Sequence, residues 1–368
     1  MVYLIDSWNI VYPYRLLQMK FSEKELLTLL SAPQGIHHLP RMEFMRRIRE
    51  RPYQLAEGKK LILIDMKYWV SFRMVLYNEP TALSVDQQRI YREIHQQLLK
   101  LVGQKSYLCV ISDSILNEMC KLPLERQLAT ARIMDDLGVR MVLNGLDTCT
   151  YEYMNIDRII AGKEPIENYH LSSVFEANRF LVALLVKEHG SAPDLIFNIT
   201  YDSMVSMTVE EYLKETYGNL QDSSVGFANM ANNAKLEEQT DHTYDQLLVE
   251  GLASQLSSLR KLVPYVPEGM VDPAKHLALY RKVAPFLYLH SSILAAINVD
   301  RHRKIQPNDY YDLYHSCMGI GYADYFFTEK KFHHLLRSRP VECQSYCSCE
   351  IYSEPSQILE MLVLSKKD

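Results

Sequence analysis

The clearest hydrophobic signal is Leu61 to Ile64 (LILI), an unbroken apolar run closed by Asp65. A run of that kind predicts a strand buried on both faces of a parallel sheet. Met66 to Tyr77 follows with helical spacing, Trp69 and Phe72 three apart. Ser84 to Val102 predicts a second helix. Ile90, Ile94 and Leu98 share one stripe, and Ser84 with Gln87 has the form of a capping box. Tyr107 to Ile111 (YLCVI) reads as the next strand, and Ser112 to Lys121 opens a helix with Ser112 or Asp113 as its cap. Leu124 to Leu137 predicts another helix and Val139 to Leu143 a third strand. The order β-α-α-β-α-α-β implies parallel pairing with helices on both faces.

From about Asp147 to Pro285 the pattern changes. Asn178 to Lys187 and Met207 to Glu215 have helical spacing, and Leu247, Leu248, Leu252, Leu256 and Leu259 form an amphipathic stripe. Asn229 to Thr243 is polar and predicts a connection. With little strand signal, this region reads as a helical insertion. Strand character returns at Tyr325 to Thr328 after a helix beginning near Pro307, and again within Val341 to Tyr352. Glu354 to Leu364 predicts an amphipathic C-terminal helix. At the other end, Val2 to Ile5 predicts a short strand ending at Asp6, Ser22 to Leu30 a capped helix, and Pro40 to Arg51 a basic segment. The chain divides into an N-terminal extension (1–58), a first α/β half (59–145), the insertion (146–290), a second half (291–352) and the C-terminal helix (353–368).

Composition narrows the class. With 368 residues and 48% hydrophobic content the chain can bury one large core or two ordinary ones. A net charge of −5 argues against a non-specific nucleic-acid coat but leaves room for a local basic groove. Seven cysteines, an odd number, with no signal peptide predict reduced thiols and a cytoplasmic location. No apolar run reaches the roughly 18 residues of a membrane span.

The chemistry concentrates in acids beside strands. Asp65 follows the first strand, Glu118 lies in the helix after SDSIL, and NDYYDLYH supplies Asp309 and Asp312 ahead of YADYFFTEKKF, which holds Asp324, Thr328 and Glu329. Singly, each has a structural explanation: Asp65 caps a helix, Glu118 faces solvent, Asp309 complements a helix dipole. Asp324 adjoins an apolar strand and should be costly there unless paired or metal-bound. Carboxylates that cluster raise each other's pKa, so a divalent cation is their natural partner.

In this order the acids resemble those of PIN-like nucleases over Lys59 to Leu143 and Ser291 to Tyr352. The resemblance implies a Rossmann-like α/β domain with a parallel sheet, here interrupted by the insertion. It also implies three or four carboxylates that hold Mg²⁺ or Mn²⁺ and hydrolyse phosphodiesters. Asp65, Glu118, Asp312 and Asp324 fall to metal binding and water orientation, Asp324 as an added acid. Asp309 competes with Asp312 for the third place, and Glu329 stands where the family more often has Asp or Asn. RNA is implied ahead of DNA, and a toxin or phage-defence role with an inhibitory or effector protein partner follows from the same resemblance.

Phosphate contacts have candidates in Arg301, Arg303 and Lys304 before the acidic motif and in Lys330 and Lys331 after it, with Thr328 beside a carboxylate. The same cations also read as solvated helix faces. Asp6 competes with Asp65 for the first acid. Asp65 is preferred because its strand is more uniformly apolar and the next strand follows at βαβ spacing. A zinc site at Cys343, Cys347 and Cys349 with His333 or His334 lacks a fourth ligand at a recognised spacing. The rival to a nuclease is a non-catalytic nucleic-acid-binding or scaffold protein on the same fold.

Overall fold

The computed structural model describes residues 50, 52–119, 121–166, 170–174, 207–216, 225, 228–229, 232, 242–262, 272–300 and 303–365. The elements expected at Val2 to Ile5, Ser22 to Leu30 and Asn178 to Lys187 lie outside these residues. So do Asp6, Arg301 and, apart from Glu50, the basic segment at 40–51.

The architecture is mixed α/β, built on a six-stranded, mostly parallel sheet. Its strands are β1 (Lys60–Ile64), β2 (Tyr107–Ser112), β3 (Met141–Leu143), β4 (Leu171–Ser173), β5 (Tyr325–Phe327) and β6 (Glu350–Tyr352), in the order β4-β3-β2-β1-β5-β6. β1 pairs in parallel with β2 on one side and β5 on the other, while β4 is antiparallel to β3. The chain winds outward from β1 to β2 and β3, then returns to build β5 and β6 on the other flank. This reversal falls between β1 and β5, and open sheets of this kind place their crevice at the carboxyl ends of such strands.

Helices cover both faces, as the apolar run of β1 requires. On one side lie α1 (Met66–Leu76) and α2 (Val85–Gly103); after β2 come α3 (Asp113–Met119) at the edge and α4 (Leu124–Asp136). α1 packs on α2 and α4. The insertion supplies α5 (Gly145–Ile160), α6 (Val209–Thr216), α7 (Tyr244–Leu262), α8 (Pro273–Val283) and α9 (Pro285–Val299). After it come α10 (Pro307–Tyr322), α11 (Lys330–Arg337) and α12 (Pro355–Leu364). α10 packs against α9 and α3, and α12 against α2. Successive side chains of β5 separate the two layers: Phe326 meets α10 at Gly319, while the Phe327 ring lies 6.2 Å from Tyr68 of α1.

Two expectations for the insertion change. It is not wholly helical, because Leu171–Ser173 extends the sheet as β4. Three residues without an apolar run carry no strand pattern, and pairing with β3 makes the strand. The boundary at 290 is also crossed by the continuous helix α9, whose Phe286, Leu289 and Ile293 belong to the common core. Among the described residues no single helix is long and apolar enough to cross a membrane. The one apolar pair, α8 with α9, is bent by 118°.

Candidate functional site at the carboxyl edge of the sheet

Asp65 ends β1 and caps α1. Its Oδ1 accepts from the backbone N–H of Lys67 at 2.9 Å, and its Oδ2 faces the Thr328 hydroxyl at 3.4 Å. The Asp65 N–H donates to the Phe327 carbonyl at 2.9 Å, which ties this acid to the end of β5. Across the crevice, Tyr68 donates to the carbonyls of Ser353 at 2.8 Å and Thr328 at 3.3 Å, joining α1 to the ends of β6 and β5. The side chain of Asp65 is buried, 3% exposed.

Asp312 lies in the second turn of α10, Glu118 near the end of α3, and Glu329 at the N-cap of α11. These acids feel one another. Burial pushes the Asp65 carboxyl above its ordinary range, with Glu118 and Glu329 adding to the rise and His315 opposing it. Asp312 is raised further, first by burial and then by Asp65, Glu329 and Glu118. Both carboxyls therefore keep their protons to higher pH than isolated carboxyls do.

His315, one turn beyond Asp312, has no solvent exposure. Its Nε2 lies 3.1 Å from Glu118 Oε2, and its Nδ1 lies 2.7 Å from Ser112 Oγ and 2.9 Å from Ser114 Oγ. This is a Ser-His-Glu constellation by distance. Both hydroxyls are buried, Ser112 at 0% and Ser114 at 5% exposure, so neither presents itself to a substrate as a nucleophile. Sequence reading passed over His315, although its spacing of three from Asp312 puts both on one side of a helix.

Asp324 stands elsewhere. It precedes β5, and its Oδ2 accepts from the Leu61 N–H at 2.7 Å, at the amino end of β1. In a parallel pair the residue before one strand and the residue after its neighbour lie on opposite edges. Asp324 is therefore exposed on the far edge from Asp65 and does not join the cluster. The cost expected of an acid beside an apolar strand is met by this backbone hydrogen bond.

Asp309 is 2% exposed and completes a capping box by accepting from the Gln306 N–H at 2.8 Å. It also receives Lys331 Nζ at 2.9 Å and Arg303 at 3.3 Å. Asp309 is thus an anchor for the start of α10, and Asp312 is the acid that faces the others. Two of the cations expected to meet phosphate, Lys331 and Arg303, are held by this anchor, and Lys330 pairs with Glu354 at 3.0 Å. Lys304 is exposed. Two lysines that the sequence did not single out follow acids of the group closely in the chain. Lys67 is exposed in the first turn of α1, and Lys121 is exposed three residues after Glu118, bonded to neutral Asn308 at 3.0 Å and lying 4.2 Å from the centroid of the Tyr311 ring.

The donor set suits a hard divalent cation: oxygen ligands only, two of them with pKa values raised by crowding and burial. Asp65, Asp312, Glu118 and Glu329 are the residues that would hold it. As the side chains lie, no group of three His, Cys, Asp or Glu among the described residues has ligating geometry, so binding requires the carboxylates to draw together. Cys343, Cys347 and Cys349 likewise form no such group, and burial raises all three thiols. Comparison with family models, with curated proteins and with solved structures finds no match.

Proposed function

We propose that this protein is a metal-dependent phosphodiesterase of the PIN-like type, acting as an endonuclease on RNA ahead of DNA. The observation that carries the reading is the crowding of Asp65 and Asp312 at the reversal point of the sheet. Holding two mutually repelling carboxylates in a site largely shut off from water costs stability, and a bound Mg²⁺ or Mn²⁺ offsets that cost. When bound, such a cation supplies Lewis-acid stabilisation of charge on the phosphoryl group and lowers the pKa of a bound water. The chain's own part is to hold Asp65 and Asp312 in place, to keep Glu118 oriented beside them, and to meet the phosphate backbone with Lys67 and Lys121. A toxin or phage-defence role, with a protein partner that restrains cleavage, is the setting that the family resemblance offers.

The experiment is cleavage of end-labelled single-stranded RNA, and in parallel single-stranded DNA, with Mg²⁺, with Mn²⁺ and with chelator. Cleavage that needs the cation and is lost in both Asp65→Asn and Asp312→Asn, each still folded by circular dichroism, supports the reading. Absence of cation-dependent cleavage in the wild type overturns it. One observation favours a second reading, a non-catalytic scaffold: Lys330, Lys331 and Arg303 are paired with acids rather than open to phosphate. That reading predicts no cleavage and no salt-dependent binding to nucleic acid.

A further inference from the structure

We infer that His315 is a positioning residue that holds the Glu118 carboxylate in place toward Asp65 and Asp312, that Glu118 sets the tautomer of His315, and that Ser112 and Ser114 hold the far side of its ring. The inference rests on the metal-dependent reading above. It begins from the donor and acceptor inventory. An ionised Glu118 can only accept, so the 3.1 Å contact to Oε2 places a proton on His315 Nε2. In the neutral ring Nδ1 then has one lone pair, which accepts from one serine hydroxyl, 2.7 Å away for Ser112 or 2.9 Å for Ser114, while the other hydroxyl donates to the first. The Ser112 and Ser114 oxygens are themselves 2.9 Å apart, and Ser112 Oγ also accepts from the Ile115 N–H at 3.4 Å, so the group is ordered from beneath by the first turn of α3.

The parts come from three elements. Ser112 is the last residue of β2, Ser114 and Glu118 belong to α3, and His315 belongs to α10. His315 therefore links the helix that carries Asp312 to the helix that carries Glu118. A carboxylate ligand held by a buried N–H keeps one oxygen occupied and its plane fixed. Partners of that kind typically govern metal affinity by about 10–100-fold. A purely structural histidine in the core would leave cation affinity unchanged once folding is intact.

Two measurements test this. The first is Mn²⁺ binding by calorimetry to the wild type, His315→Leu and His315→Gln, each checked by circular dichroism. Gln offers an amide N–H near the place of Nε2. The expected result is binding weakened at least tenfold in His315→Leu and largely restored in His315→Gln. Wild-type binding with equal affinity in a folded His315→Leu overturns the positioning role while leaving the metal-dependent reading standing. No Mn²⁺ binding by the wild type overturns both. The second measurement reads the wild-type ring itself and needs no metal. In ¹⁵N-histidine spectra, with the His315 signals identified by their loss in His315→Gln, the expected signature is a proton on Nε2 and none on Nδ1. A proton on Nδ1 overturns the assignment, whatever the metal does.

Discussion

Gly319 of α10 lies so close to Phe326 of β5 that a Cβ on the glycine would stand 2.7 Å from the Phe326 ring and 3.0 Å from Leu63. This contact seats α10 on the sheet, and α10 carries Asp312 and His315. Gly319→Ala must push the helix outward or force the ring off its rotamer, at a cost of about 1–3 kcal/mol. We expect a lower melting temperature and, in the folded fraction, weaker Mn²⁺ binding, because Asp312 moves with its helix. A variant with unchanged stability and binding shows that the helix adjusts locally.

Asp324 and Asp65 bracket the β1–β5 pair from opposite edges, so their amide variants should separate. Asp65→Asn should abolish cleavage while the protein stays folded. Asp324→Asn keeps an acceptor for the Leu61 N–H, and should leave cleavage near wild type and stability within about 1 kcal/mol. Loss of cleavage in Asp324→Asn with the fold intact would return that residue to the site.

Asp312 should destabilise the cation-free protein at alkaline pH. Its folded pKa is raised, from 3.8 to about 9, chiefly by burial. The native state thus binds more protons than the unfolded chain between those values, and stability falls as pH rises through that window. Asp312→Asn removes the titration. We expect the variant to be more stable than wild type by roughly 2 kcal/mol at pH 8, a value discounted for partial exposure, with the gain vanishing toward pH 4. Urea melts at the two pH values check the sign, and Mn²⁺ should shrink the difference at pH 8. A difference that grows on acidification refutes the assignment.

Lys67 and Lys121 should carry phosphate contacts. Replacing both with Gln should lower the slope of log binding constant against log salt by roughly one unit for each phosphate left without its lysine. Gln at 330 and 331 should change the slope little, because Glu354 and Asp309 already hold those lysines. Equal slopes for wild type and the Lys67, Lys121 pair would place the track elsewhere.

Glu152 of α5 offers a test outside the site. It is fully buried and accepts from the Phe286 and Leu287 N–H groups, both at 2.8 Å, and from the Tyr322 hydroxyl. Burial pushes its carboxyl up to about 8 despite these donors. It therefore caps α9 and joins it to the end of α10. Glu152→Ala leaves buried N–H groups unpaired and should cost about 3 kcal/mol, read as a shift in the urea midpoint.

Much of the sheet was legible because buried parallel strands announce themselves. LILI, YLCVI and YFF are apolar runs that nothing but a two-sided core would require. Asp65 was legible for the same reason, as the first polar residue after such a run. β4 was not, since Leu171–Ser173 is defined by its partner and not by its composition. Asp324 was misplaced by reading adjacency without direction: Asp65 follows its strand and Asp324 precedes its own, and parallel pairing puts those positions at opposite ends. The pairing of Lys331 and Arg303 with Asp309 was hidden because it depends on how tightly α10 starts, which a capping box fixes in space but not in the order of residues. His315 escaped notice because its partners Ser112, Ser114 and Glu118 lie about 200 positions earlier, at separations of 203, 201 and 197.

That separation also sets a schedule. β1 sits at the centre of the sheet, yet the contact of Asp65 with Thr328 joins residues 263 positions apart. A ribosome that has released β1, β2 and α3 has made Asp65 and Glu118 but not Asp312, His315 or β5. The nascent chain therefore carries half of the acidic group, with no partner for the free side of its central strand. Chemistry that depends on the whole group can switch on only after α10 and β5 have been synthesised and docked, so under the proposed nuclease function the growing polypeptide leaves messenger RNA intact until that moment.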